Sequence, residues 1–326
     1  MPDTPMAPMT FPEPETINRV AIIGGGLIGA GWAACFLTQG IAVAIADPSP
    51  KARDALPDQV DSAWAAIQQL GLPRGARRDQ LTVHETTETA VDGAEFVQEC
   101  APDRQALKID LFKALDAVLP AGVPIGSSTS ALLMTPVQAG CRHPGRCFNG
   151  HPFNPVHLVP LVEVSGGEET SPDVLDWAMR FYRSIGKHPV RLNREIQGHI
   201  AGRLSAALWR EAVHLVAEGI ADVEAVDAAM VHGPGLRLAA MGPHMIYHLA
   251  GGQGGMAHYL EHLGPSQQRR WQDLGTPDLT DDVQSLILRG LETETAGRDI
   301  STLEDERDKA LVAILKSRQP NADKAD

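Results

Sequence analysis

His151 and Glu163, twelve positions apart, are the pair of side chains in this sequence best suited to moving a proton. His151 stands in Gly150-His-Pro-Phe-Asn-Pro155, a stretch dense in turn-forming residues that displays polar groups beside prolines. Glu163 stands inside Leu161-Val-Glu-Val164, a β-type apolar run in which a carboxylate is costly to bury without a partner. Histidine is such a partner. It can take the proton of an alcohol as hydride departs, while a carboxylate on its other nitrogen orients the ring and stabilises the imidazolium.

A second constellation complements the first. Gly24-Gly-Gly26-Leu-Ile-Gly29 matches G-x-G-x-x-G, with Leu27 and Ile28 filling the variable positions. Gly24 permits a tight turn, Gly26 lets the backbone approach a pyrophosphate, and Gly29 lets helix and strand pack closely. Free N–H groups at the following helix start would face the phosphates. Asp47 follows at the end of the next apolar run, where a carboxylate accepts from both ribose hydroxyls and repels a 2′-phosphate. The expected cofactor is NAD, although Lys51 and Arg53 lie near enough to offset that repulsion.

The elements that must hold these groups follow from the apolar pattern. Residues 19–24 form a buried strand, 27–39 a helix closed by Gly40, and 41–46 a second strand. Further strands fall at 95–99, 124–128, 146–150 and 161–165, with helices between several of them, notably 103–118. A helix without lysine or arginine is expected from about Asp58 to Leu70. Such alternation predicts an α/β, Rossmann-type, largely parallel sheet. After about Glu195 the pattern turns helical, with Ile200, Leu204, Leu208, Ala212, Leu215 and Val216 on one stripe. The expected organisation is a flexible extension over 1–16, an NAD-binding domain over 17–195, an all-helical C-terminal domain over 196–317, and a frayed tail over 318–326.

Composition excludes several function classes. A net charge of −13 repels nucleic acid and acidic membrane surfaces. No run approaches the roughly 20 apolar residues of a membrane span, and the Pro- and Met-rich opening lacks the basic start and apolar core of a signal peptide. Cys35, Cys100, Cys141 and Cys147 show no zinc-ligand spacing, and two of them read as small core residues of a reduced, cytoplasmic protein. His244/His248 and His258/His262 are spaced one helical turn apart but lack a third ligand, so no metal is expected.

In order and combination, the glycine loop, Ser127-Ser-Thr-Ser130, His151-Pro-Phe-Asn-Pro155 and Leu161-Val-Glu-Val164 resemble the 3-hydroxyacyl-CoA dehydrogenase superfamily, from Arg19 to at least Gly242. The resemblance implies His151 as general base and Glu163 as its orienting partner, with Ser130 and Asn154 near substrate and nicotinamide. Lys108 falls at a cofactor-side position, and Asp103 replaces the usual glutamate five positions earlier. A substrate domain that also forms a homodimer interface is implied as well.

The same resemblance implies a small 3-hydroxy acid as substrate. The thioester-using members carry an asparagine early in the first helix of the second domain, and this chain has Gly202 at or beside that position. Leu208-Trp-Arg-Glu-Ala212, Gly235-Leu-Arg237, Met241-Gly-Pro243 and Ala250-Gly-Gly-Gln-Gly-Gly-Met256 resemble instead the carnitine dehydrogenase branch, whose substrate is a free acid bearing a quaternary ammonium. Arg210 and Arg237 are candidates for the carboxylate, since a guanidinium grips it with two parallel bonds. Trp209 and Tyr247, with Tyr259 and Trp271, are candidates for an aromatic face toward the ammonium. The rivals are a gulonate dehydrogenase-like enzyme, a coenzyme A thioester dehydrogenase, and a crystallin-like structural protein that binds NAD without turnover.

Overall fold

The computed structural model describes residues 10–318. Residues 1–9 and 319–326, which include most of the expected extension and tail, lie outside the described residues. Packing divides the described residues into one unit holding 10–202 together with 308–318, and a second unit, Arg203–Arg307.

The first unit is built on an eight-stranded sheet: β1 (Arg19–Ile23), β2 (Ala42–Ala46), β3 (Leu81–His84), β4 (Phe96–Glu99), β5 (Ile125–Ser127), β6 (Cys147–Pro152), β7 (Leu161–Ser165) and β8 (His188–Arg191). Its order is β3-β2-β1-β4-β5-β6-β7-β8, and every neighbouring pair is parallel except β6 and β7. Strands covered on both faces read as near-continuous apolar runs, as β1 and β2 do. In β1, Val20 and Ile22 join one core while Ala21 and Ile23 join the other. The first core is dominated by rings, with Phe96 4.8 Å from Phe181 and Trp32 5.5 Å from Tyr182.

The Leu27–Thr38 helix is apolar all round because both of its sides are covered. The Pro50–Gln68 helix starts earlier than the sequence pattern indicates. Ser49 caps it through Ala52 N and Pro50 opens it, so Lys51 and Arg53 lie in its first turn. The described part of the N-terminal extension is packed rather than loose: Trp177 Nε1 donates to the Pro12 carbonyl at 2.7 Å, and Arg180 pairs with Glu13 and Glu15. At the chain's other end, Val312 packs with Ala66 and Leu158, and Asp308 meets His157 at 3.3 Å.

The strand that carries His151 is anchored at its start by a buried ion pair. Arg146, wholly inaccessible, sets Nη2 2.7 Å from Asp116 Oδ1 and also donates to the carbonyls of Pro120 and Val123. Burial opposes the charge on Asp116, but Arg146 and two backbone N–H groups outweigh it and hold the carboxyl below its usual range.

The second unit is helical. Asp222 caps the Val223–His232 helix and Thr280 the Asp281–Thr295 helix, while prolines open Pro234–Ala240 and Pro243–Ala250. All four cysteines are free, Cys35 and Cys147 being buried. Among the described residues, no helix is long and apolar enough to cross a membrane, and no cluster of three or more His, Cys, Asp or Glu is placed to hold a metal.

Candidate active site

β6 and β7 bring the proposed base and its partner together through strand register. Their antiparallel pairing sets His151 directly opposite Glu163, and residues so placed have Cβ atoms within about 5.5 Å. His151 Nδ1 lies 3.0 Å from Glu163 Oε2. The other oxygen, Oε1, accepts from Ile200 N at 2.7 Å and Ala201 N at 2.8 Å, at the start of the Ala201–Ala217 helix. Burial would raise the Glu163 pKa, but the histidine and the two N–H groups outweigh it and hold the carboxyl below its usual range. An ionised carboxylate only accepts, so in the neutral form of the ring Nδ1 carries the hydrogen and Nε2 keeps its lone pair.

His151 lines a cavity of about 630 Å³ with Ile28, Cys100, Asp103, Ser128, Ser130, Asn154 and Gly202. Apart from Gly202, which lies on the Ala201–Ala217 helix, these residues lie at or just after the C-terminal ends of β1, β4, β5 and β6, next to the point between β1 and β4 where the strand order reverses, which is where open α/β sheets bind ligands. Asp103 Oδ2 accepts from both the amide and the hydroxyl of Ser130, at 2.9 and 2.8 Å. Burial disfavours its charge, yet these bonds, Thr129 and the Lys108 ammonium hold its pKa down. Ser130 therefore offers the cavity a lone pair, its proton being committed to Asp103. Burial pushes the Cys100 thiol up to about 12, so it stands there as a protonated group rather than a nucleophile.

The glycine turn fits a dinucleotide. Gly24 has φ +114, and a Cβ there would lie 2.5 Å from the Cys100 carbonyl oxygen. At Gly29 a Cβ would collide with the Gly24 carbonyl, whereas Gly26 faces open space. No side chain caps the helix that begins at Leu27, so its first N–H groups are available to a phosphate. Asp47 accepts from Gly25 N and Ser49 N, each at 2.8 Å, which fixes the carboxylate and leaves lone pairs for a ribose. Arg53 spends itself on the carbonyls of Asp47 and Pro48 and leans toward Glu85 at 3.9 Å. It is thus drawn away from serving a 2′-phosphate.

A family model described as 3-hydroxyacyl-CoA dehydrogenase, NAD binding domain, matches residues 19–196, and one described as the C-terminal domain of the same enzymes matches residues 198–276. The chain belongs to the 3-hydroxyacyl-CoA dehydrogenase family. Its cofactor is NAD, and it is an oxidoreductase. Among its relatives, L-carnitine dehydrogenase of Streptomyces griseus subsp. griseus is 49% identical over 97% of this chain and 93% of that protein. L-carnitine dehydrogenase of Pseudomonas aeruginosa is 44% identical over 92% and 93%. Among solved structures, the NAD+-dependent 5-formyl-3-hydroxy-2-methylpyridine 4-carboxylic acid 5-dehydrogenase superposes with a TM-score of 0.80 at 28% identity, covering 93% of this chain and 98% of that one. Escherichia coli 3-hydroxybutyryl-CoA dehydrogenase gives 0.61 at 28% identity over 72% and 50%.

Not every residue expected at the site of this 3-hydroxyacyl-CoA dehydrogenase family member lies on the cavity wall. Lys108 is buried behind it, its three N–H bonds taken by both Glu99 oxygens and the Ala101 carbonyl, at 2.7, 2.8 and 2.9 Å. With its donors spent it cannot grip a cofactor directly; it reaches the cavity through Asp103, 3.4 Å away. Arg210, Arg237, Trp209 and Tyr247 belong to the helical unit. Tyr247 pairs with Tyr259 at 5.0 Å and lines, with Trp271, a separate cavity of that unit, and Trp209 lines another. The sequence reading missed His199, whose ring lies against His151.

The NAD assignment makes a quantitative prediction. A hydrogen bond to a charged acceptor contributes about 1.5–3 kcal/mol, so Asp47→Ala is expected to raise the KM for NAD roughly 10- to 100-fold and to narrow the preference over NADP. Initial rates with both cofactors check it; an unchanged KM for NAD would show that Asp47 holds only the turn.

Proposed function

We propose that this chain oxidises the 3-hydroxyl of L-carnitine to 3-dehydrocarnitine, with the His151–Glu163 pair as general base. The observation that carries the reading is a histidine on the wall of a cavity at the strand ends, its far nitrogen held by an ionised glutamate. Bound NAD supplies the acceptor for the C3 hydride. His151 Nε2 takes the hydroxyl proton, and Glu163 offsets the positive charge that then forms on the ring. The Ser130 lone pair and the Asn154 amide are the polar groups available to orient the alcohol. The ionised Asp103 adds negative charge to the wall, which suits a substrate with a cationic head.

The L-carnitine dehydrogenases at 43–49% identity support carnitine over the other acids. Gly202 supports it too: a Cβ there would meet nothing within 4 Å, so the wall stays open where the thioester-using members are expected to place an amide. The helical unit leaves Leu204, Leu208, Trp209, Leu236 and Trp271 exposed, large apolar side chains whose burial would favour a homodimer. Four free cysteines support a reducing compartment, the cytoplasm.

The test is NADH formation with L-carnitine, L-gulonate, 3-hydroxybutyrate and its coenzyme A ester. L-carnitine is expected to lead by roughly a hundredfold in kcat/KM, the scale on which one well-recognised substrate group discriminates. A lead for gulonate or the thioester would overturn the substrate. Binding of NAD without turnover of any member would overturn the enzyme reading.

A further inference from the structure

His199 sits in the turn before the Ala201–Ala217 helix, in the same compact unit as the cavity. Its ring stacks on that of His151, with centroids 4.8 Å apart and planes 22° from parallel. The side chain is 1% exposed. Nε2 lies 3.0 Å from the Thr129 carbonyl, which can only accept, so this nitrogen carries hydrogen. Nδ1 is buried and has no partner among the described residues.

Two costs therefore meet in one residue. The backbone of His199 has φ +50, a left-handed conformation seldom adopted without glycine, and a buried nitrogen without a partner is unfavourable. A leucine would fill the space without the second cost. Strain of this kind persists where surrounding structure enforces it, and it gathers at active sites.

The base needs what this ring provides. The outer torsion of a histidine side chain is broad, and the single bond from Nδ1 to Glu163 fixes a point rather than a plane. Proton transfer requires the Nε2 lone pair to aim at the hydroxyl. Phe153 meets the His151 ring edge-on, at 5.5 Å and 66°, while His199 covers a face.

We propose that His199 is a positioning residue for the reaction, the platform that sets the plane of the His151 ring. The proposal rests on His151 being the base. Its link to Thr129 ties that plane to the loop bearing Ser128 and Ser130. The platform is uncharged: burial is the largest influence on His199 and lowers its pKa, with the charge of His151 acting the same way. The Thr129 carbonyl and the carboxylates Glu163 and Asp103 oppose this without reversing it. An uncharged ring face does not repel the imidazolium that forms beside it, and attracts it weakly.

Three variants separate the ring face from the link. His199→Phe keeps an aromatic face and loses the N–H donor, His199→Asn keeps a donor and loses the ring, and His199→Ala loses both. With L-carnitine and saturating NAD, kcat is expected to fall roughly 10- to 100-fold in His199→Ala and His199→Asn, the scale of a misaligned reacting group. It should stay within about threefold of wild type in His199→Phe, and NAD affinity should be unchanged in all three. Full activity in His199→Ala, equal activity in His199→Asn and His199→Phe, or His199→Phe as slow as His199→Ala would each overturn the platform. His151→Ala assayed alongside separates the two levels. If that variant turns over normally, the base assignment falls and the platform with it; if it is inactive while the His199 variants break the pattern, only the platform falls.

Discussion

Replacing His151 by alanine is expected to lower kcat for carnitine oxidation about 10²- to 10⁴-fold, the usual contribution of a positioned general base. The loss should fall on chemistry alone. His151 lines the cavity at the end of β6, whereas the groups fitted to the dinucleotide are Gly24, Gly26, Gly29 and Asp47 at the ends of β1 and β2. NAD affinity, read by fluorescence, is therefore expected to stay within a few-fold of wild type, in line with the separation of binding from chemistry. The deletion also leaves a ring-sized space beside Glu163, so added imidazole should restore part of the rate. Undiminished turnover in this variant would remove the base assignment outright.

Glu163→Gln is the second large effect, and its cause is the number of acceptors required. Oε2 faces His151 Nδ1 while Oε1 receives the amides of Ile200 and Ala201. A carboxamide has one acceptor oxygen, so it must abandon either the ring or the helix start. Facing the ring with its NH2 reverses the tautomer and puts the hydrogen on Nε2, the nitrogen that must be bare. Turning its oxygen to the ring sets NH2 against two backbone donors. The expected result is a fall in kcat of about 10²- to 10⁴-fold, the range for a base with its orienting carboxylate lost. A loss of stability of about 0.5–2 kcal/mol should accompany it, the usual worth of a helix N-cap.

That stability difference carries a pH signature. The folded-state pKa of Glu163 lies below its ordinary value, so its ionised form stabilises the fold at pH above about 4.3, the value for an unperturbed glutamate. The contribution is lost as pH falls through the lower folded-state value. Denaturation midpoints of wild type and Glu163→Gln should accordingly separate at neutral pH and converge in acid. A gap that persists unchanged in acid would mean the carboxylate charge is not what holds the turn.

The pairing of His151 with Glu163, on which the proposed base rests, was legible in the sequence because a carboxylate in Leu161-Val-Glu-Val164 demands a partner, and strand pairing supplies the histidine opposite it. β1, β2, β4, β5, β6 and β7 were legible because they are buried almost throughout and apolar residues mark their positions, as continuous runs in β1 and β2. β3 and β8 were not. They are the edge strands, and Leu81-Thr-Val-His84 and His188-Pro-Val-Arg191 are partly exposed and carry no such run. The early start of the Pro50–Gln68 helix had a readable signal, Ser49 followed by Pro50, masked by Pro57 inside the helix.

Lys108 and His199 could not be placed from sequence for a different reason. A lysine on a helix reads the same whether its ammonium faces solvent or is enclosed by Glu99 and Ala101. His199 follows a glycine with φ +78, a mark of a turn, but its stacking depends on His151 and Thr129 arriving from distant parts of the chain. Local pattern carries element type and burial demand; it does not carry which distant groups share a wall.

The most direct measurement is the fate of the hydrogen on C3. With L-carnitine deuterated at that carbon and unlabelled NAD, mass spectrometry of the reduced cofactor should find one deuterium per NADH formed, in equal amount to 3-dehydrocarnitine. NADH free of deuterium, or none formed at all, would contradict the account.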